Sequence, residues 1–108
     1  MIILNFKFTV SGAVLDACVL GALTSAPTYG YDLTQRIQAV IDVSESTLYP
    51  VLRRLLKDGM LDTYDEQYDG RNRRYYKLAE KGAKALEGFS REWENHKRII
   101  DTLLKGDI

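Results

Sequence analysis

Cysteine, histidine and tryptophan are scarce in this chain, which holds one of each among its 108 residues. The single cysteine, Cys18, excludes an internal disulfide and a CxxC metal site. Because Cys18 lies in the apolar run 17–20, we expect its thiol to be buried and structural. A lone unpaired thiol of this kind favours a cytoplasmic location.

The chain also lacks an excess of charge and a long hydrophobic run. Fifteen basic residues balance fifteen acidic ones, so any surface that binds nucleic acid must concentrate its positive charge locally. The apolar stretch 13–23 is interrupted by Asp16 and is too short to span a bilayer. The first residues do not resemble a signal peptide, and we expect no membrane partner.

Residues that could build an active site are missing as well. The sequence shows no set of nucleophile, base and orienting group, no metal-ligand cluster and no glycine-rich phosphate loop. We therefore expect a protein that is not an enzyme and that uses neither a metal nor a cofactor.

Hydrophobic periodicity predicts an extended arm followed by three helices. Residues 2–10 alternate between apolar and polar side chains. Residues 12–23 are apolar nearly all round, and residues 29–41 and 44–58 carry apolar side chains at helical spacing. Ser44 is the expected N-cap of the third helix, and Gly59 stands just past its end.

Two strands and a long helix complete the predicted architecture. Residues 60–64 and 73–78 read as strands joined by a polar turn with Asp69-Gly70, and a helix follows to about Leu104. This order predicts a mostly α fold with a β-hairpin wing, a winged helix-turn-helix plus a long C-terminal dimerisation helix. We expect an extended arm (1–11), a winged helix-turn-helix DNA-binding domain (12–78) and a dimerisation helix (79–108).

The third helix carries the first candidate DNA contacts. Its apolar stripe should pack inward, which leaves these side chains toward solvent: Ser46, Thr47, Tyr49, Pro50, Arg53 and Lys57. Hydroxyls near a helix N-terminus can bind phosphates, and an arginine further along can reach a guanine edge. Pro50 is unusual inside a helix and is tolerable near the first turn. The alternative is that the hydroxyls cap the helix and the arginines lie on a solvated face.

The hairpin carries the second set of candidate DNA contacts. Residues 70–77 contain four cations and no acid, and we expect Arg71, Asn72, Arg73 and Arg74 to contact phosphates or the minor groove. The alternative is that these arginines pair with the preceding acidic residues, which include Asp62, Asp65, Glu66 and Asp69.

Four stretches together resemble the PadR family of regulators: YGYDL (29–33), STLYPVLRRL (46–55), KDG (57–59) and GRNRRYYKL (70–78). The resemblance covers roughly residues 12–104. It implies a dimeric transcription factor, usually a repressor, whose third helix enters the major groove of a pseudo-palindromic operator in double-stranded DNA. The short C-terminal region is similar to that of a smaller subfamily, some members of which respond to drugs.

The last helix predicts a homodimer independently of that resemblance. Apolar residues recur at seven-residue steps along it, as in a coiled coil, although part of this seam could pack on the chain's own core. The expected interface residues are Leu86, Phe89, Trp93, His96, Ile100 and Leu103.

Trp93 has two interpretations. It can be a plain interface anchor. By similarity to the drug-responsive members, it can instead face its copy across the dimer and stack a planar aromatic or cationic effector. Phe89 and the small residues Ala17 and Gly21 would then border this effector site.

A winged helix can also bind a protein rather than DNA. The basic hairpin would then meet an acidic partner. DNA binding predicts a steep dependence on salt and a preference for a two-fold symmetric site, whereas a protein partner predicts neither.

Overall fold

A computed structural model describes residues 9–108, which form four helices and a small antiparallel sheet. The predicted arm lies outside the described residues up to position 8. In chain order the elements are α1 (Gly12–Gly21), β1 (Thr28–Tyr29), α2 (Gly30–Gln38), α3 (Glu45–Lys57), β2 (Leu61–Tyr68), β3 (Arg71–Leu78) and α4 (Glu80–Leu104). The predicted winged-helix order is confirmed.

The core lies between the three short helices and the inner end of the sheet. Leucines from α1, α2, α3 and β2 meet there and are almost fully buried, and examples are Leu15, Leu33, Leu48, Leu52 and Leu61. Burying a side chain of this size stabilises the fold by about 1.5–3 kcal/mol. The apolar stripe of α3 therefore decides which face of that helix remains outside.

Local signals account for the ends of α3. The Ser44 hydroxyl accepts a hydrogen bond from the Thr47 amide at 3.2 Å, so the predicted N-cap is confirmed. Gly59 follows the helix with φ of +75°, a left-handed conformation that glycine adopts without steric cost. The helix thus begins and ends where its own sequence specifies.

Two other helices end earlier than predicted. Helix α1 stops at Gly21 rather than at residue 23, and α2 stops at Gln38 rather than at residue 41. The Gln38 side-chain amide donates a hydrogen bond to the Val43 backbone carbonyl at 3.0 Å and holds the tight connection that leads into α3. This connection leaves Val40 exposed, so its apolar side chain does not mark a helix.

The sheet contains a strand that was not predicted. Strand β1 is two residues long, too short for a periodic pattern, and it pairs with β3 to give the order β1–β3–β2. Asp69 and Gly70 both have positive φ, as expected for a two-residue hairpin turn. Strands β2 and β3 each span eight residues, longer than predicted, because polar residues continue the backbone ladder toward the turn.

Helix α4 meets the body of the protein at Gly82. A Cβ at this position would overlap the Met60 carbonyl oxygen and would lie 3.0 Å from Leu78 Cδ1. The whole helix spans 25 residues, about 37 Å at ~1.5 Å per residue. The radius of gyration is 16.9 Å, against about 13 Å for a compact domain of this length, because α4 projects from the body.

We predict that Gly82→Ala destabilises the protein by about 1–3 kcal/mol, since the Met60 backbone must move to admit a methyl group. Gly88→Ala is the matched control in the same helix, because its nearest side-chain atom is 4.0 Å from the new Cβ. That substitution should stabilise the helix by about 0.5–1 kcal/mol. Urea unfolding at one fixed protein concentration measures both changes. Equal effects of the two substitutions would contradict the close contact.

Candidate nucleic-acid interface

The outer face of α3 carries one continuous row of polar and basic side chains. Ser46, Pro50, Arg53 and Lys57 are all exposed and follow the spacing i, i+4, i+7 and i+11, so they lie on one side of the helix. The buried leucines lie on the opposite side. The row therefore faces away from the protein as a single surface, which we call the α3 row.

The hydroxyls at the start of α3 gather around its cap. Ser46 Oγ lies 2.9 Å and Thr47 Oγ1 3.0 Å from the Ser44 hydroxyl oxygen. All three residues are exposed at a helix N-terminus, where backbone amides and the helix dipole favour an anion. Helix capping and phosphate binding are therefore compatible here, because the hydroxyls that form the cap remain exposed to solvent.

Tyr49 does not join the α3 row. We expected its side chain to face solvent, but Tyr49 is half-buried and packs against the edge of the core. The reason is angular: Tyr49 lies about 100° from Leu48 on the helix, between the buried stripe and the outer face. Pro50, by contrast, is fully on the outer face, in the second turn, where its missing amide deprives the Ser46 carbonyl of its usual donor.

Arg53 and Arg54 are neighbours in sequence but have different surroundings. Arg54 donates to both carboxylate oxygens of Asp16 in α1, at 2.9 and 2.6 Å. This hydrogen bond and the charge of Asp16 raise the pKa of Arg54. Arg54 thus joins α3 to α1, whereas Arg53 remains in the α3 row.

The hairpin presents Arg71, Asn72 and Arg74 as exposed side chains. Arg74 Nε lies 3.8 Å from Asp65 Oδ1, and both side chains are at least half exposed, so this ion pair is weak. The acidic strand β2 therefore neutralises part of the basic strand, as the alternative interpretation expected, but Arg71 and Asn72 beside the turn stay open to solvent.

Arg73 is placed differently from the other wing arginines. Its guanidinium carbon lies 4.2 Å from the ring centre of Tyr29 and 3.8 Å from that of Tyr68, so the group is held between two aromatic faces. Tyr75 continues the cluster, edge-on to Tyr29 at 5.8 Å and stacked on Tyr64 at 5.4 Å. Burial, followed by the charge of Glu66, raises the pKa of Tyr64.

The sequence pattern did not predict that Tyr29 and Tyr68 contact Arg73. A usable signal exists in the alternation of β3, which puts Arg73 and Tyr75 on one face of the strand. The cross-strand partners of Arg73, however, depend on the register of β2 and on the unpredicted β1.

The predicted seam of α4 divides into two parts. Leu86 and Phe89 are half-buried, and Leu86 packs against the chain's own core. Beyond them the seam is open: Trp93 is 42% exposed, Ile100 39% and Leu103 56%. His96 is exposed as well, with its ring 6.0 Å from that of Trp93. The distal half of α4 thus carries an apolar face that residues 9–108 of the single chain do not cover.

A groove of about 400 Å³ lies where α1 and α4 meet. Val14, Ala17 and Cys18 of α1 and Phe89 and Trp93 of α4 are among its lining residues. Gly21 is not among the residues that line this groove, and its place in the effector site stays a prediction.

Cys18 forms part of the groove wall. The expected burial of Cys18 is wrong, because the residue is exposed on the side of α1 that faces away from the core. Partial burial nevertheless raises its thiol pKa, so the sulfur remains largely protonated at neutral pH.

Across residues 9–108, no helix is long and apolar enough to cross a membrane. In the same part of the chain, acidic, histidine and cysteine side chains do not gather into a group of three that could hold a metal ion.

Comparisons with solved structures show which proteins this chain resembles. A structure from Streptococcus mutans superposes with a TM-score of 0.85 and 37% identity, covering 95% of this chain and 97% of that chain. A PadR-like transcriptional regulator from Bacillus cereus superposes with a TM-score of 0.78 and is 30% identical, covering 84% of this chain and 91% of that chain. A PadR family transcription regulator from Clostridium difficile superposes with a TM-score of 0.78 and is 26% identical, covering 83% of this chain and 97% of that chain.

Sequence comparisons point the same way. A protein of uncharacterized function from Lysinibacillus sphaericus is 32% identical over 97 residues, which are 85% of this chain and 89% of that protein. Residues 19–88, from α1 through the wing into α4, match the profile of the Transcriptional regulator PadR-like family. The chain therefore belongs to the PadR-like family and is a winged-helix transcriptional regulator rather than an enzyme.

Proposed function

We propose that this protein is a homodimeric repressor that binds a pseudo-palindromic operator through the α3 row and the wing. The observation that carries the proposal is that three cations of a chain with zero net charge are exposed and form no ion pair within residues 9–108. Arg53 and Lys57 on α3 and Arg71 beside the hairpin turn are all exposed. Counterion release from phosphates near such groups supplies much of the affinity for DNA.

Helix α3 is suited to the major groove. Its exposed hydroxyls lie at the N-terminal end, where they and the helix dipole hold a phosphate. Arg53 lies one to two turns further along the outer face, with no acidic partner on α3 beside it, and its fork matches the two acceptors of guanine. The leucine stripe keeps this geometry rigid, because any rotation of α3 would expose the core.

The wing is suited to contact with the DNA backbone or the minor groove. Arg71 and Asn72 follow directly after the two-residue turn, so they stand at the outer end of a hairpin eight residues long. A cation and an amide at such a tip bind phosphate oxygens or the edges of A·T pairs.

A second copy is the simplest cover for the distal half of α4. Trp93, Ile100 and Leu103 leave an apolar stripe that continues beyond the body of the single chain. A symmetric dimer through this stripe presents two copies of the α3 row, which fit half-sites about 34 Å apart or a multiple of that distance.

The α1–α4 groove supports a regulatory role for the same interface. Its wall combines Trp93 and Phe89, whose rings stack 6.4 Å apart, with the smaller side chains of Ala17 and Cys18. A planar cationic or aromatic molecule would stack on these rings, with about 0.5–2 kcal/mol for each contact. It releases the operator only if it prefers a dimer in which the two α3 rows are wrongly spaced.

We predict that Arg53→Ala weakens operator binding by about 1–3 kcal/mol and relaxes the preference at one base pair in each half-site. The matched control is Arg91→Ala, an exposed arginine of α4 that pairs with Glu87. Selection of bound duplexes from a random pool, followed by titration at several salt concentrations, gives both quantities. Equal losses on operator and random DNA would remove the base-reading role, and a flat salt dependence of the native protein would favour a protein partner instead.

We predict that Ile100→Glu converts the dimer into monomers and reduces operator affinity, because it places a charge in the apolar stripe. Val40→Glu is the control, since Val40 is an aliphatic residue 84% exposed and distant from α4 in the chain. Sedimentation equilibrium at micromolar concentration measures the assembly. A monomeric native protein, or full-strength binding to one isolated half-site, would contradict the dimer.

We predict that planar cationic dyes change the fluorescence of Trp93, the single tryptophan, and weaken operator binding at the same concentrations. Trp93→Ala should abolish the effect of the dye on the operator, whereas Tyr31→Ala, which removes an exposed ring on α2, should preserve it. Unchanged emission at high micromolar dye, together with unchanged operator affinity, would leave Trp93 as a dimer contact alone.

A further inference from the structure

The outer half of the wing has little lateral support from the body of the protein. Strand β1 pairs only with Tyr75 and Tyr76 of β3. Beyond Tyr75 the hairpin continues for five more positions on each strand, which are four residue pairs and then the turn residues Asp69 and Gly70. Within the described residues, the direction of this segment therefore depends on side-chain contacts rather than on a third strand.

The side chains that supply such contacts lie on the face of the sheet that is opposite the core. Leu61 and Leu78 form a cross-strand pair that faces the core, so Tyr64 and Tyr75, three positions further along each strand, lie on the other face. Arg73 is two residues further along the outer face. Its guanidinium is enclosed by Tyr29, directly before α2, and by Tyr68, directly before the turn.

We propose that Arg73 is a positioning residue: its guanidinium, clamped between Tyr29 and Tyr68, sets the angle of the wing against the helix-turn-helix and so places Arg71 on the DNA. This proposal rests on the DNA-binding function proposed above. It replaces the expectation from the sequence that Arg73 itself contacts a phosphate.

The chemistry of the clamp requires arginine rather than any cation. A planar guanidinium presents two flat faces and can stack on a ring on each side, whereas an ammonium is a compact point charge. The register partner of Arg73 is Glu66, yet the guanidinium carbon lies over the two rings. By contrast, Arg71 is exposed beside the turn and needs only its charge to meet a phosphate.

This difference in chemistry defines the experiment. Operator affinity is measured for Arg73→Lys and Arg73→Met, with Arg71→Lys and Arg71→Met as matched controls in the same strand. If Arg73 positions the wing, Arg73→Lys loses about as much affinity as Arg73→Met, about 3- to 30-fold. Arg71→Lys keeps the native slope of log affinity against log salt because it keeps the charge, and Arg71→Met lowers that slope by about one.

A double-mutant cycle tests whether Arg73 acts through the clamp. Tyr68→Leu removes one face of the clamp and should reduce operator affinity in the native background. In the Arg73→Lys background it should cause almost no further loss, because the clamp is already broken. Additive losses would overturn the proposal, as would native affinity of Arg73→Lys together with weak binding of Arg73→Met, since lysine would then preserve a plain phosphate contact.

A measurement without DNA separates this proposal from the DNA-binding function. In the free protein, the Arg73 side-chain protons should show upfield ring-current shifts in the NMR spectrum that Tyr68→Leu reduces. Residual dipolar couplings of the hairpin amides relative to those of α3 should change in Arg73→Lys. If the native protein binds no duplex, the proposed function fails, and these couplings still decide the positioning role. Unchanged couplings in Arg73→Lys would overturn it.

Discussion

The close contact between Gly82 and the Met60 carbonyl is the constraint on which the arrangement of surfaces depends. At this point the start of β2, the end of β3 and the first turn of α4 meet within van der Waals distance, and the Ala79 amide donates to the same Met60 carbonyl at 3.0 Å. A side chain at position 82 would push the helix away. Because the contact leaves no room for a side chain, it fixes where the first turn of α4 meets the start of β2 and the end of β3.

Charge is distributed so that a neutral chain still has a basic surface. Several cations are neutralised within the protein: Arg54 by Asp16, Arg36 by Asp32, and Arg91 by Glu87. These pairs join helices or lie along them, away from the α3 row. The net charge of the whole chain therefore says little about the field at that row, because some of the acidic residues are paired with cations elsewhere in the protein.

Two adjacent pairs of arginines show how packing divides residues of the same type between internal contacts and the exposed surface. Arg54 binds Asp16 while Arg53 faces solvent, and Arg73 lies between two tyrosine rings while Arg74 is exposed. On α3 the division follows from a rotation of about 100° per residue, and on β3 from the alternation of faces. In both places one arginine contacts other elements of the chain while its neighbour in sequence points to solvent.

The sequence by itself determined what depends on neighbours along the chain. The helical stripe of α3, the Ser44 cap, the Asp69-Gly70 turn and the apolar seam of α4 are all local patterns, and the winged-helix order follows from them. Only the tertiary structure decided which residues meet across distant elements. The pairing of β1 with β3, the half-buried position of Tyr49, the exposure of Cys18, the exclusion of Gly21 from the groove and the clamp around Arg73 all depend on such contacts. They escape a periodicity analysis because the partners are far apart in sequence, and their positions are set by how the elements pack.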